Sequence, residues 1–397
     1  MRLAVVGGKL QGTEACYLGL KAGYEVVLVD RRKGVAASGL AAETHVFDVL
    51  QEPARGCDLF AGCDAVLPAC EEDDTLAWLD ESCRAWGVPL LFDWPAYQVS
   101  SSKIRSHELF DRLGVERPRP WPSCGFPLIV KPSGSSGSEG VRLAEDEDQL
   151  AAAREELERA GHEAVVEEFA AGPSLSLEVV AWRGAVATLL ATELEFDRYY
   201  DCKRVLAPVE LEGAGELRQR FDEIGERLAV GLGLNGLMDI EVMVHGDRLK
   251  VLEIDARLPS QTPTAVWGAC GVNMLQLLAD TVLTGSLRPV IVSPRRGCCY
   301  QHVCVEGGAV EVLGEHMMGG ARPLRLMPDL YGADEVITDR PDGVGGEDEA
   351  WVATLITVAP SADEARAKAG RAVQRLAEEH GLTVTPETGA QPGDDCR

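Results

Sequence analysis

Two short stretches carry acids at every second position: Asp239-Ile240-Glu241, and Glu253-Ile254-Asp255 followed by Ala256-Arg257. Period-two alternation marks a strand with one covered face. The stretches belong to two apolar runs, Gly236 to Val244 and Leu249 to Ile254, joined through Gly246-Asp247. That pattern predicts an antiparallel pair closed by a tight turn. Asp239 and Glu241 then share one face, and Glu253 and Asp255 share one face of the neighbouring strand. Four carboxylates converge, and buried like charges are costly without a cation. A hard divalent ion bound together with nucleotide phosphates fits such a set. Arg257 can point the same way and stabilise charge on a transferring phosphoryl group or an acyl phosphate. The alternative is a solvated acidic hairpin. Ile240, Val251, Leu252 and Ile254 argue instead for a covered sheet.

Further features upstream suit a nucleotide. Leu128 to Pro132 reads as a strand with Lys131 near its end, followed by a loop of small residues from Ser133 to Gly140. A lysine offers a point charge to phosphate oxygens, and exposed backbone N–H groups of such a loop can close over a triphosphate. A surface hairpin with a serine-rich tip would need no lysine there. Lysine is scarce, eight against thirty arginines, so Lys9, Lys103, Lys131 and Lys203 are the more informative positions. Residues 97–117 predict one helix with Lys103 near its start. Val165-Val166-Glu167-Glu168-Phe169 could present backbone groups to a base and an acid to a ribose.

The chain opens with an apolar strand over residues 2–7, a turn Gly7-Gly8-Lys9-Leu10-Gln11-Gly12, a helix from Thr13 to Ala22, and a second strand ending at Asp30. The order resembles a dinucleotide fingerprint, but Lys9 stands where a glycine should let the backbone approach a pyrophosphate. An NAD(P) site, a substrate or nucleotide contact, and a purely structural turn all remain open readings of it. Further strands over 64–68 and 89–92 predict a parallel α/β sheet. The expected domains are residues 1–93, 94–288 and 289–397, the last holding short strands, a loop from Pro341 to Glu349, a strand from Trp351, a helix over 361–380 and a polar tail.

Composition narrows the function. The chain is 46% hydrophobic and 26% charged, which fits a globular protein. Its net charge of −26, without a basic cluster, excludes nucleic acid and anionic membranes as expected partners. No apolar run reaches the roughly 20 residues that span a bilayer, and no secretory signal opens the chain, so a cytoplasmic location with reduced cysteines is expected.

Taken in order, the lysine, the lysine with its small-residue loop, the Glu-Glu-aromatic segment and the acid strands resemble an ATP-grasp ligase. Closer similarity, over roughly residues 1–290, is to the branch of that family that joins 3-methyl-D-ornithine to the ε-amine of L-lysine in pyrrolysine biosynthesis. It is carried by the glycine turn, Ser176-Leu177-Glu178, Tyr200-Asp201-Cys202, Met238 to Glu241, and Glu253 through Thr264. The resemblance implies an ATP-grasp fold of α/β class with a Rossmann-like first domain and a small α+β C-terminal domain. It implies ATP and Mg²⁺ as cofactors, and 3-methyl-D-ornithine or D-ornithine and L-lysine as substrates, joined through an acyl phosphate. Lys9, Asp30, Lys103, Lys131, Glu167, Glu168, Phe169 and Glu253 would contact ATP. Asp239, Glu253 and Asp255 would bind the metal, and Arg257 would be catalytic. Leu10, Gln11, Ser176, Leu177, Glu178, Pro259, Ser260, Gln261, Thr262, Pro263 and Thr264 would contact substrates. A homodimer is compatible with the sequence and not specified by it. Two positions depart from the family: Asp255 replaces the usual asparagine of the metal motif, and Gln301 stands where an acid precedes His302. The rival readings are a ligase of the same family with another amine acceptor, and a nucleotide-binding regulator without catalysis.

Overall fold

The structure is a computed structural model, and it describes residues 1–135, 137, 139–209, 214–341 and 350–387. Ser136 and Ser138 of the small-residue loop, residues 342–349 and the end of the tail lie outside the described residues.

The described residues form three sheets. The first is parallel, in the order β3-β2-β1-β4, from β1 (Arg2–Val6), β2 (Glu25–Asp30), β3 (Glu43–Val46) and β4 (Ala65–Pro68). Helices α1 (Leu10–Lys21), α2 (Pro53–Phe60) and α3 (Asp73–Trp86) connect it. Strands β1, β2 and β4 read as nearly unbroken apolar runs because helices cover both faces. Residues 89–92 are not a strand. Only Leu90 bridges, to Val66, and the chain turns at once into α4 (Trp94–Ser100). Strand β3 was not expected, because its edge sequence Glu-Thr-His-Val is mostly polar.

The single helix expected over 97–117 is two, α4 and α5 (Lys103–Leu113). Ser102 breaks it by acting as an N-cap, its hydroxyl accepting from Arg105 N. A three-stranded sheet follows, β6-β5-β7, with β5 (Leu128–Pro132), β6 (Arg142–Ala144) and β7 (Ala164–Glu168) backed by α6 (Glu147–Arg159). Asp146 caps α6 through Gln149 N, and Leu150, Ala153 and Leu157 face the sheet at helical spacing.

The largest sheet has eleven strands. It runs β12-β11-β8-β9-β10-β13-β17-β16-β15, with β14 paired to β13 and β18 to β14. Its members are β8 (Ser174–Trp182), β9 (Ala185–Phe196), β10 (Cys202–Ala207), β11 (Gly236–His245), β12 (Arg248–Asp255), β13 (Gly297–Glu306), β14 (Ala309–Glu311), β15 (Arg325–Pro328), β16 (Glu335–Thr338), β17 (Trp351–Ala359) and β18 (Thr383–Val384). The antiparallel β10–β13 ladder makes residues 174–255 and 297–359 one continuous sheet. Helix α7 (Ala214–Leu232) packs on β8 and β9, and α10 (Ala362–His380) on β13 and β17. Helices α8 (Thr262–Cys270) and α9 (Met274–Thr284) fill the space between this sheet and α1, with Leu18, Val266, Leu275 and Tyr300 in one shared core. Among the described residues no single helix is long and apolar enough to cross a membrane, and the described cysteines are free thiols.

Candidate active site

The β8–β11–β12 register lines up the acids. Glu178, Asp239 and Asp255 are direct neighbours across three strands, and Ser176, Glu241 and Glu253 form the next row. Opposite residues of an antiparallel pair share a face, so five carboxylates occupy one side of the sheet. Leu177, Met238, Ile240 and Ile254 pack on the other side, under α7. Alternation therefore takes the Leu177 side chain away from the acids, which corrects its expected place among the substrate contacts.

Burial without enough cations raises the proton affinity of this face. It pushes Glu178 up to about 7 and Glu241 up to about 8, and Asp239 rises well above the carboxylate range. Asp255 rises to about 6, with Arg257 restraining it. Glu253 goes the other way. Burial opposes its charge, but Lys103 and Lys131 outweigh that and hold its carboxyl low. The Lys103 ammonium lies 3.0 Å from Glu253. Arg257 reaches Asp255 at 3.1 Å and Glu71 of the first domain at 3.2 Å. Asp239 Oδ1 and Glu178 Oε2 are buried without a hydrogen-bond partner among the described residues.

Among the described residues no group of three or more His, Cys, Asp or Glu is arranged to hold a metal ion alone. Mg²⁺ needs no such cage, since it is commonly bound by one or two carboxylates and substrate phosphates. Asp239, with its orphaned oxygen, and the adjacent Asp255 and Glu253 have the donor chemistry for that arrangement.

Lys131 lies 2.6 Å from Glu167, on the strand paired with its own. Both are buried, and His107 stands 3.6 Å from the other Glu167 oxygen. Burial and Lys131 push His107 down to about 3, so that contact is not an ion pair. Glu168 corrects the expectation of an acid for ribose. Its carboxylate accepts from Arg119 Nε at 2.7 Å and pairs with Lys250, which against burial hold it at about 2. Phe169 is half-buried, its N–H bonded to Pro127 O.

Two cavities open around Arg257. The smaller, about 80 Å³, is lined by Asp239, Glu241, Glu253, Asp255, Pro259, Ser260, Gln261 and Thr262 among others. The larger, about 410 Å³, runs from Ser260 into the first domain past Lys9, Leu10, Gln11 and Asp30. Gly137, Arg257, Ser260 and Glu315 line both. Ser176 and Glu178 are completely buried beneath the smaller cavity, the hydroxyl donating to Glu178 Oε1 at 2.9 Å.

The segment read as a substrate loop is the start of α8. Proline suits the first turn of a helix, which has no partner for its N–H groups. Pro263 and Thr264 are thereby buried in the helix and turned from both cavities, a correction to their expected contacts. Gln261 has φ 74°, a strained conformation for a residue with a side chain. Glu14 of α1 accepts from Thr264 N at 2.7 Å. No local spacing announces that bond, which joins residues 250 apart.

Helix α1 starts at Leu10, earlier than Thr13. Asp30 accepts from Gly8 N at 2.8 Å and Arg32 N at 2.7 Å. A side chain on Gly8 would meet Val35 at 2.2 Å. One carboxylate oxygen of Asp30 thus braces the glycine turn and the other the residues just after β2, while Asp30 borders the larger cavity.

Residues 100–261 match the ATP-grasp domain family. The 3-methyl-D-ornithine–L-lysine ligase of Methanosarcina acetivorans is 36% identical over 80% of this chain and 83% of its own length. That of Methanosarcina barkeri is 36% identical over 80% and 83%. The biotin carboxylase domain of Hydrogenobacter thermophilus 2-oxoglutarate carboxylase, solved with MgADP, ADP and bicarbonate, aligns with a TM-score of 0.72 at 16% identity, covering 98% of this chain and 91% of that one. Likeness at that identity shows the fold, and the fold is ATP-grasp. The chain belongs to the family of the 3-methyl-D-ornithine–L-lysine ligases.

Proposed function

We propose that the protein joins the carboxylate of (3R)-3-methyl-D-ornithine to the ε-amine of L-lysine at the expense of ATP, through an acyl phosphate. The observation that carries this reading is the two-row carboxylate face beside Arg257, Lys103 and Lys131. Lys103 and Lys131 exchange their carboxylate partners for phosphate oxygens when the nucleotide enters. Glu167 and the backbone through Phe169 hold the rest of the nucleotide. Mg²⁺ at Asp239, Glu253 and Asp255 would neutralise charge on the transferring phosphoryl group.

The ornithine carboxylate attacks the γ-phosphorus in line, giving acyl phosphate and ADP. The smaller cavity beside Ser260, Gln261 and Thr262 takes this substrate, with buried Glu178 biasing the site toward an ammonium group. Arg257 stabilises the oxyanion formed when the amine attacks. Lysine enters through the larger cavity past Leu10 and Gln11, and the loop containing Gly137 excludes water that would hydrolyse the intermediate. Residues 1–93 thus bring acceptor contacts, 94–288 carry the nucleotide site, and 289–397 complete the wall.

The test is mass spectrometry of a reaction holding ATP, Mg²⁺, D-ornithine or its 3-methyl form, and L-lysine labelled at the ε-nitrogen. Label in the new amide supports the reading. Coupling through the α-amine, or use of another amine only, would defeat the substrate assignment and leave the phosphoryl chemistry standing.

A further inference from the structure

An amine that attacks an acyl phosphate must first lose a proton, because an ammonium nitrogen has no lone pair. The group that takes it has to sit where acid and amine meet. The two cavities share four lining residues: Gly137, Arg257, Ser260 and Glu315. Glycine has no side chain, Arg257 is a cation, and serine is a poor base. Glu315 is the carboxylate at the junction. Its Oε2 is buried and has no hydrogen-bond partner among the described residues, while Ser260 and Gln261 lie beside the carboxyl.

The turn that carries Glu315 is anchored. Gly314 N donates to Asp197 Oδ2 at 3.0 Å, and His316 N donates to Asp201 Oδ2 at 2.9 Å. A side chain on Gly314 would meet the Asp201 carboxyl at 2.0 Å, so only glycine lets Asp201 come this close. Asp197 Oδ1 also accepts from Tyr199 N and Asp201 N, fixing the loop between β9 and β10. This gives Tyr200-Asp201-Cys202 a purpose: it positions the turn holding Glu315. His316 pairs with Asp201 at 2.9 Å, which raises its proton affinity and makes it a poor acceptor. At the loop tip, a Cβ on Gly137 would lie 2.9 Å from His316 Nε2, so the nucleotide loop touches this same turn.

We propose that Glu315 is the general base of the second half-reaction, taking the proton from the attacking lysine amine. The proposal rests on the ligase reading above. The ε-ammonium gives one proton to Glu315, and the freed electron pair attacks the acyl carbon. As the C–N bond forms, the carbonyl becomes an oxyanion. Its collapse breaks the C–O bond, and phosphate departs with the electron pair and the second nitrogen proton. Glu315 returns its proton to water through the larger cavity. Burial raises the carboxyl above its ordinary value, toward the range where a base works best near neutral pH.

Hydroxylamine separates the two halves, because its nitrogen is largely unprotonated near neutral pH and needs no base before attack. With ATP, Mg²⁺ and D-ornithine, the wild type should form ornithine hydroxamate. E315Q should lower lysine-dependent dipeptide formation by about 100-fold or more, and lower hydroxamate formation by less than a tenth of that factor. Its residual lysine rate should climb steadily with pH, and E315D should recover part of the loss. Equal losses with both amines, or no loss with lysine, would overturn the role of Glu315. Failure of the wild type to make hydroxamate would overturn the ligase reading itself.

Discussion

Replacing Glu14 by glutamine should make the protein more stable as pH rises. Glu14 is 2% exposed and accepts from Thr264 N in the first turn of α8. A charge there gains from the helix dipole, up to about 2 kcal/mol, and from a charge-assisted hydrogen bond of about 1.5–3 kcal/mol. Burial costs more, with Glu315 adding repulsion, so the carboxyl is pushed from 4.5 to about 7. That displacement is worth roughly 3 kcal/mol. An acid that holds its proton more tightly when folded contributes stability that is present below its unfolded value. The contribution is lost as pH rises from about 4.5 through about 7. Glutamine keeps the shape and the acceptor oxygen without this loss. At about 1–2 °C per kcal/mol in a chain this long, the Tm of E14Q relative to wild type should rise by about 3–6 °C between pH 5 and pH 8. Thermal melts of both proteins across that range measure it. Parallel curves, or a growing wild-type advantage at high pH, would show that the charged cap outweighs its burial.

Asp255→Asn should lower ornithine-dependent ADP release at least about 100-fold with an unchanged circular dichroism spectrum, because the amide removes one charge from the metal site at constant volume; wild-type turnover at ordinary Mg²⁺ would refute the assignment. Lys131→Met should weaken ATP binding by about 10-fold or more in calorimetry and cost about 3–5 kcal/mol of stability by leaving Glu167 buried and unpaired, whereas unchanged ATP affinity would remove Lys131 from the phosphate site. Gly39→Ala would put a Cβ 2.2 Å from the backbone oxygen of Leu324; it should cost about 1–3 kcal/mol, and an unaltered melt would mean the contact yields without strain.

The acid hairpin was legible because it obeys period two over a long run and closes at a glycine turn, so strand, turn and shared face follow from spacing alone. The third member of its row was not. Glu178 joins Asp239 through a pairing that no local pattern specifies. Strands β9 and β10 escaped notice for the same reason: Glu193, Glu195 and Arg204 interrupt their apolar pattern, and the last two are settled by partners on other elements. Helix α8 could have been found, since Pro263 stands at the second position of a helix, where its missing N–H costs nothing. Taking Pro259 through Thr264 only as substrate contacts hid the helix and with it the burial of Thr264. Glu14 and Glu315 carry no signal in the chain, because an isolated acid gains meaning only from what the fold sets opposite it.

The β10–β13 ladder has a mechanical consequence. Hydrogen bonds run without interruption from the acid rows to the strands flanking the Glu315 turn, so these behave as one stiff plate. The three strands bearing Lys131 and Glu167 share no ladder with it. Any hinge between the two sheets would carry Lys131 and Glu167 as a unit and leave the acid rows together. The spacing between the carboxylate rows and the turn that carries Glu315 is therefore set within one sheet and not by how the two sheets meet.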